Sequence, residues 1–124
     1  MAASARDIVV NFYNAALNEK NPEKAVSFLG DKYIQHNPHV PDGIEGFVKF
    51  IKFRRDKFPG ARNEIKRVIA EGDLVVLHCS QEWPGDGPWA GIDIFRFDEQ
   101  GRIVEHWDVL QRVPETSSND NGMF

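Results

Sequence analysis

The hydrophobic period of this chain changes once, at Pro59-Gly60, and that change restricts the fold more than any other feature. Before it, apolar residues recur at helical spacing. Ser4 and Asp7 form a start signal, and Ile8, Val9, Phe12, Tyr13, Ala16 and Leu17 then make one face. Asn21-Pro22-Glu23 opens a second, short helix carrying Ala25, Val26, Phe28 and Leu29 and ending at Gly30. Tyr33 to Asn37 reads as a short extended segment closed by Pro38, with a loop from His39 to Gly43. Phe47, Phe50, Ile51 and Phe58 mark a third helix over Ile44 to Phe58. After Pro59-Gly60 the period is two. Strands are predicted over Asn63 to Ala70, Leu74 to Glu82, Trp89 to Phe97 and Arg102 to Gln111, separated by turn-forming residues. Helices followed by successive antiparallel strands give an α+β fold, with the helices on one face of a curved sheet.

At 124 residues the chain is one domain, taken as residues 1–113 with a polar, flexible tail over 114–124. Aromatic residues make up 11% of the chain, nine of them Phe, more than a simple core needs and suited to a roomy apolar interior. At a net charge of −4, nothing in the chain suggests the basic face that a nucleic-acid binder shows. Lys49, Lys52, Arg54, Arg55 and Lys57 cluster, but at spacings that read as the solvated side of a helix. Cys79 is the single cysteine and no charged-then-apolar leader precedes the first helix, which together point to the cytoplasm. No apolar run approaches the length of a membrane span.

The last two strands carry the chemistry. Side chains alternate across a strand, so Asp93, Phe95 and Phe97 share one face and Ile92, Ile94 and Arg96 the other. On the final strand Val104, His106, Asp108 and Leu110 oppose Ile103, Glu105, Trp107 and Val109. Carboxylates are rare in strands that read as core unless they are paired or used. Both faces also carry apolar residues, and helices cover only one. The simplest cover for the other is a second copy, so a homodimer through the outer sheet face is expected.

Tyr33-Ile34-Gln35-His36-Asn37-Pro38 and the run D-x-F-R-F-D-x-x-G-x-I-V-E-H-W-D from Asp93 to Asp108, placed after three helices, resemble the SnoaL-like polyketide cyclases. These belong to the superfamily of nuclear transport factor two and ketosteroid isomerase. The resemblance spans Ala5 to Gln111 and implies a cone-shaped barrel, with three N-terminal helices packed on a curved, mostly antiparallel sheet. It implies that Asp93 points into the cone and takes part in chemistry. Tyr13 matches the isomerases' oxyanion-stabilising tyrosine. Asn37 stands where they keep the aspartate that moves the proton, and an amide does not hold a proton as a carboxylate does. His78 resembles the histidine that accompanies the acid in cyclases. His106 and Asp108 fall on Asp93's face if the final strand pairs as in the family.

Asp93 among Ile and Phe is poorly solvated, which suits a base or acid near neutrality, as aldol cyclisation requires. The plain alternative pairs it with Arg96 or Arg102 at a strand end. His36, beside the expected pocket mouth, either polarises a substrate oxygen or is structural. His106 with Asp108 either lines the pocket or forms a buried network fixing register. His36-x-x-His39 straddles a proline, and no metal-ligand spacing stands out, so no metal and no cofactor are expected. Phe50, Phe95 and Trp89 are expected to contact a small-molecule substrate. The first reading is a cofactor-independent, SnoaL-like enzyme of lyase or isomerase type acting on a small, largely apolar carbonyl compound. Asp93, His78, His36 and His106 would be its catalytic groups, with Tyr13, Asn37 and Asp108 positioning. The alternatives are a non-catalytic binding module of the same fold, or a hydrolase or dehydratase in the same pocket.

Overall fold

The computed structural model describes residues 3–124. Helix α1 (Ala5–Tyr13) starts where Ser4 Oγ accepts the Asp7 N–H at 3.1 Å. It widens into a π-helical turn over Asn14–Asn18 and stops by Lys20, whose φ is 54°. Helix α2 (Pro22–Val26) is capped by the Asn21 side chain, which accepts from the Lys24 N–H. It ends short of the expected Leu29, which instead begins strand β1 (Leu29–Gln35). Phe28 O is claimed by the Ile103 N–H at 3.0 Å, and Leu29 lies beside Ile103. Sheet pairing therefore overrides the local helix pattern.

Helix α3 (Gly43–Lys57) follows, then β2 (Arg62–Glu71), β3 (Leu74–Glu82), β4 (Trp89–Phe97) and β5 (Ile103–Arg112). The sheet order is β1-β5-β4-β3-β2, antiparallel throughout except where β1 runs parallel to β5. The architecture is the expected α+β one, with a fifth strand at the edge. Among the described residues no helix is long and apolar enough to cross a membrane, which says nothing of β-barrels.

Helices and sheet meet over an aromatic core centred on Phe12, whose ring lies 5.4–6.4 Å from those of Phe28, Tyr33, Phe47 and Phe95. Burial of each such ring contributes about 1.5–3 kcal/mol. The parity of β4 and β5 follows the alternation along most of their length: Asp93, Phe95, Phe97 and His106 are buried, while Ile92 and Val109 on the outer face are 42% and 77% exposed. It breaks at a register shift beside Val104, which brings Ile103, expected on the outer face, opposite Phe97 and into the core.

One member of the basic cluster departs from its expected place. Lys49, Lys52, Arg55 and Lys57 are exposed, but Arg54 is fully buried. It falls on the same helical stripe as Phe47, Phe50, Ile51 and Phe58, three or four residues apart, so helix geometry turns it inward. Its Nε donates to Leu17 O at 2.9 Å, which supplies a partner at the open end of the first helical segment.

Candidate active site

Between the helices and the inner sheet face lies a cavity of about 730 Å3. Its walls are mainly aromatic, including Phe12, Phe47, Phe50, Phe95, Trp83 and Trp89. Such walls bind apolar surface and leave orientation to the few polar groups present. Those on the sheet side are Gln35 from β1, Gln81 from β3, Asp93 from β4, and His106 and Asp108 from β5, joined by Asn37 from the loop after β1.

Strand register brings these groups together. Asp93 faces Asp108, Phe95 faces His106, and Gln35 lies beside His106. Asp93 Oδ1 and His106 Nε2 are 2.8 Å apart, with Asp93 4% and His106 7% exposed. His106 Nδ1 is 2.7 Å from Gln35 Oε1. That oxygen also accepts the backbone N–H groups of His36 and Asn37, at 3.1 and 3.0 Å. Two fixed backbone donors thus identify it as the amide oxygen, and an amide oxygen only accepts. His106 Nδ1 must carry a hydrogen. Nε2 then meets Asp93 in one of two ways: as a lone pair facing a carboxylic acid, or as an N–H facing a carboxylate. Either way one proton lies between the two groups.

The ring of His106 is held between Phe95, with centroids 4.8 Å apart, and Tyr33, stacked at 6.3 Å. Asp108 Oδ2 is 3.8 Å from His106 Nε2 and accepts from Asn37 Nδ2 at 2.9 Å. Burial pushes the Asp108 carboxyl above its usual range, with the His106 charge and the Asn37 hydrogen bond opposing and Asp93 reinforcing. The Asp93, His106 and Asp108 ligand-type atoms all lie within 4.8 Å of one another. The imidazole nitrogen among them is committed to Asp93, so the trio is accounted for as a proton-sharing cluster.

A model of the SnoaL-like polyketide cyclase family matches residues 7–116. The chain belongs to that family. Among solved structures, TsrD from Streptomyces laurentii is 24% identical, with a TM-score of 0.73 over 89% of this chain and 90% of that one. A protein from Acidithiobacillus ferrooxidans described as a candidate polyketide cyclase is 26% identical, with a TM-score of 0.73 over 90% and 92%. IdmH from Streptomyces antibioticus, described in the same way, is 22% identical, with a TM-score of 0.71 over 87% and 92%. No curated protein matches.

In this SnoaL-like chain the cavity wall holds Asp93, His106, Asp108, Asn37, Tyr13, Phe50, Phe95 and Trp89. Asp93 is engaged by no arginine: Arg96 pairs with Glu105 at 2.7 Å, and Arg102 reaches Asp31 and Asp98. Two histidines are placed otherwise than the sequence reading expects. His78 alternates with the buried Leu77 and Cys79 and so faces outward, where Arg67 donates to its Nδ1 and Phe124 lies 5.8 Å away. His36 stacks on Trp107 at 4.9 Å and pairs with Glu105 at 2.8 Å, on the face of β5 opposite His106. Neither lines the cavity. β3 supplies Gln81 to the cavity wall, and behind the wall it places the buried Cys79, whose thiol lies 3.3 Å from Asp93 Oδ2. Strand parity put Cys79 on the face opposite His78, and so carried the signal. Gln35 was missed as well, because its role depends on β1 lying beside β5.

Proposed function

We propose that the protein is a cofactor-independent acid-base enzyme acting on a small, largely apolar carbonyl compound, by aldol cyclisation or a related isomerisation. The observation that carries this reading is the single proton held between Asp93 and His106 at the wall of an aromatic cavity. In the base form the pair removes a proton alpha to a carbonyl, breaking the C–H bond. The resulting enolate carbon attacks a second carbonyl of the same substrate, and a C–C bond forms. The alkoxide so produced recovers the proton from the pair, which ends as it began. Asn37 fixes Asp108 beside the pair, and Gln35 keeps the imidazole in place. The aromatic walls exclude water, which strengthens each polar contact with the reacting oxygens. Neither a metal nor a redox group takes part in this sequence, so dialysis against a chelator leaves the rate unchanged.

The test is a survey of carbonyl, epoxide and hydroxy compounds with the unsubstituted protein and with Asp93→Asn. Turnover lost in Asp93→Asn, with ligand affinity kept, supports the reading. Tight binding without turnover of any compound by either protein would make it a binding module of the same fold. The family match and the cyclases among its structural neighbours favour the enzyme. The exposed Ile92 and Val109 favour a homodimer through the outer sheet face, for which a monomeric mass by light scattering is the adverse result.

A further inference from the structure

Asp93 has a second oxygen, and a line of buried side chains ends on it. Arg54 Nη2 donates to Asn63 Oδ1 at 2.8 Å. That contact fixes the Asn63 amide, so its Nδ2 donates to Tyr13 Oη at 2.7 Å. The single Tyr13 proton is left for Cys79 Sγ at 3.0 Å. The Cys79 S–H in turn reaches Asp93 Oδ2 at 3.3 Å, nearer than Gly91 O at 3.6 Å. A guanidinium has no acceptor, so the direction is forced from the Arg54 end, and every donor points toward Asp93.

The line draws on α3, β2, α1, β3 and β4 in turn, and continues through His106 and Gln35 into β5 and β1. Arg54, Tyr13, Asn63, Cys79 and Asp93 are each less than 5% exposed. Burial keeps both intermediate donors protonated, since desolvation and the nearby Asp93 push the Tyr13 phenol and the Cys79 thiol upward. Arg54 contacts Leu17 O and Asn63 Oδ1 rather than a carboxylate, its Cζ lies 4.4 Å from the Trp83 ring centroid, and its Nη1 is buried without a hydrogen-bond partner among the described residues. A fully buried cation held in this way is costly unless the surrounding polar network responds to it. Hydrogen bonds in such a chain polarise one another in the same sense.

We propose that Arg54 is a positioning residue for Asp93, acting through Asn63, Tyr13 and Cys79 to present a thiol hydrogen to Oδ2 and so govern how the carboxylate shares its proton with His106. The proposal deepens the acid-base reading and rests on it for its functional meaning, but its test reads a titration rather than turnover. A result against it would leave the Asp93→Asn assay untouched. The charged and titratable groups facing the pair are Asp108 on β5, Tyr33 on β1, Cys79 on β3, Tyr13 on α1 and Arg54 on α3, with His39 acting on Asp108 from the loop.

The experiment follows the His106 ring nitrogens by 15N NMR against pH in the full chain. Tyr13→Phe and Cys79→Ala each remove a donor with little change of shape. Each is expected to raise the apparent midpoint of the shared proton by about half to one pH unit, because a carboxylate short of a hydrogen bond holds its proton longer. Cys79→Ser, which restores a donor, is expected to return the midpoint toward that of the unsubstituted protein. Arg54→Met is expected to raise it too, but to add nothing once Tyr13→Phe has cut the line. If Arg54→Met does not fold, Arg54→Gln keeps an N–H for Asn63 without the charge and replaces it. Unmoved midpoints in both Tyr13→Phe and Cys79→Ala would overturn the proposal. So would an Arg54 effect of equal size with and without Tyr13→Phe.

Discussion

Strand β5 contributes one member to each of two carboxylate–imidazole pairs of the same length, one pair on each face. His106 and Asp93 are 2.8 Å apart inside, and His36 and Glu105 are 2.8 Å apart outside. Distance does not separate them, but surroundings do. Counting side-chain atoms alone, the outer histidine is 41% exposed and the inner one 9%. Glu105 also accepts from Arg96, so its charge is answered twice, and these hydrogen bonds outweigh the upward pull of burial and hold its carboxyl below the usual range. The inner carboxylate meets no arginine; it has a shared proton on one side, a thiol on the other and a cavity in front. A geometric search for such pairs would find both. On the proposed reading, only the dry pair, which no arginine neutralises, moves a proton in and out of a bound molecule.

The comparison can be broken by substitution on either face. The largest contrast is in rate: Asp93→Asn is expected to lower turnover by about 10²- to 10⁴-fold, the range for a positioned acid-base group. Glu105→Gln should leave it unchanged, both read as kcat on whichever carbonyl compound the survey identifies. A comparable loss in Glu105→Gln would erase the distinction. Next is stability. Phe95→Ala, which empties a buried position against Phe12 and His106, is expected to cost about 3–5 kcal/mol in urea unfolding. Val109→Ala on the exposed face should cost no more than about 0.5 kcal/mol.

The pH dependence sharpens the contrast further, since the two flanking acids of β5 carry opposite signs. The Asp108 carboxyl is raised, so its contribution is full below its unfolded value near 3.8 and is lost as pH rises through the folded value. Asp108→Asn should therefore raise Tm at neutral pH and give no gain in acid. Glu105 is lowered, so its contribution is present above its unfolded value near 4.5 and is lost as pH falls through the folded one. Glu105→Gln should lower Tm at neutral pH, by an amount that vanishes in acid. His36→Gln has a small effect as well: a stability change of at most about 1 kcal/mol, weakened by salt, and no change in rate. A rate loss there would mean that the outer pair reaches the chemistry.

Much of this could be read from the chain because it depends on local periodicity. The change of period at Pro59-Gly60 separates helices from strands, and alternation alone puts Asp93 with Phe95, and His106 with Asp108. The family resemblance then supplied the pairing that sets those two faces against each other. What went astray depended on neighbours remote in sequence. Leu29 reads as helix until β5 offers it a partner. His36 and His78 are reasonable site candidates until sheet parity turns each outward. Arg54 reads as one of a solvated basic group, although its spacing from Phe47, Ile51 and Phe58 already marks the buried stripe.

The amino-acid order thus determined which side chains share a face over each regular stretch, because the backbone repeat of a helix or strand is set by covalent geometry and needs no partner. The register shift that turns Ile103 inward was decided by the pairing of β4 with β5. Which of those faces look into a cavity, and which donor ends on which oxygen, was decided by the packing of five strands against the helices. Hydrogen bonds from Arg54 to Asn63, Tyr13, Cys79 and Asp93 join residues up to 66 positions apart, and no local pattern encodes them.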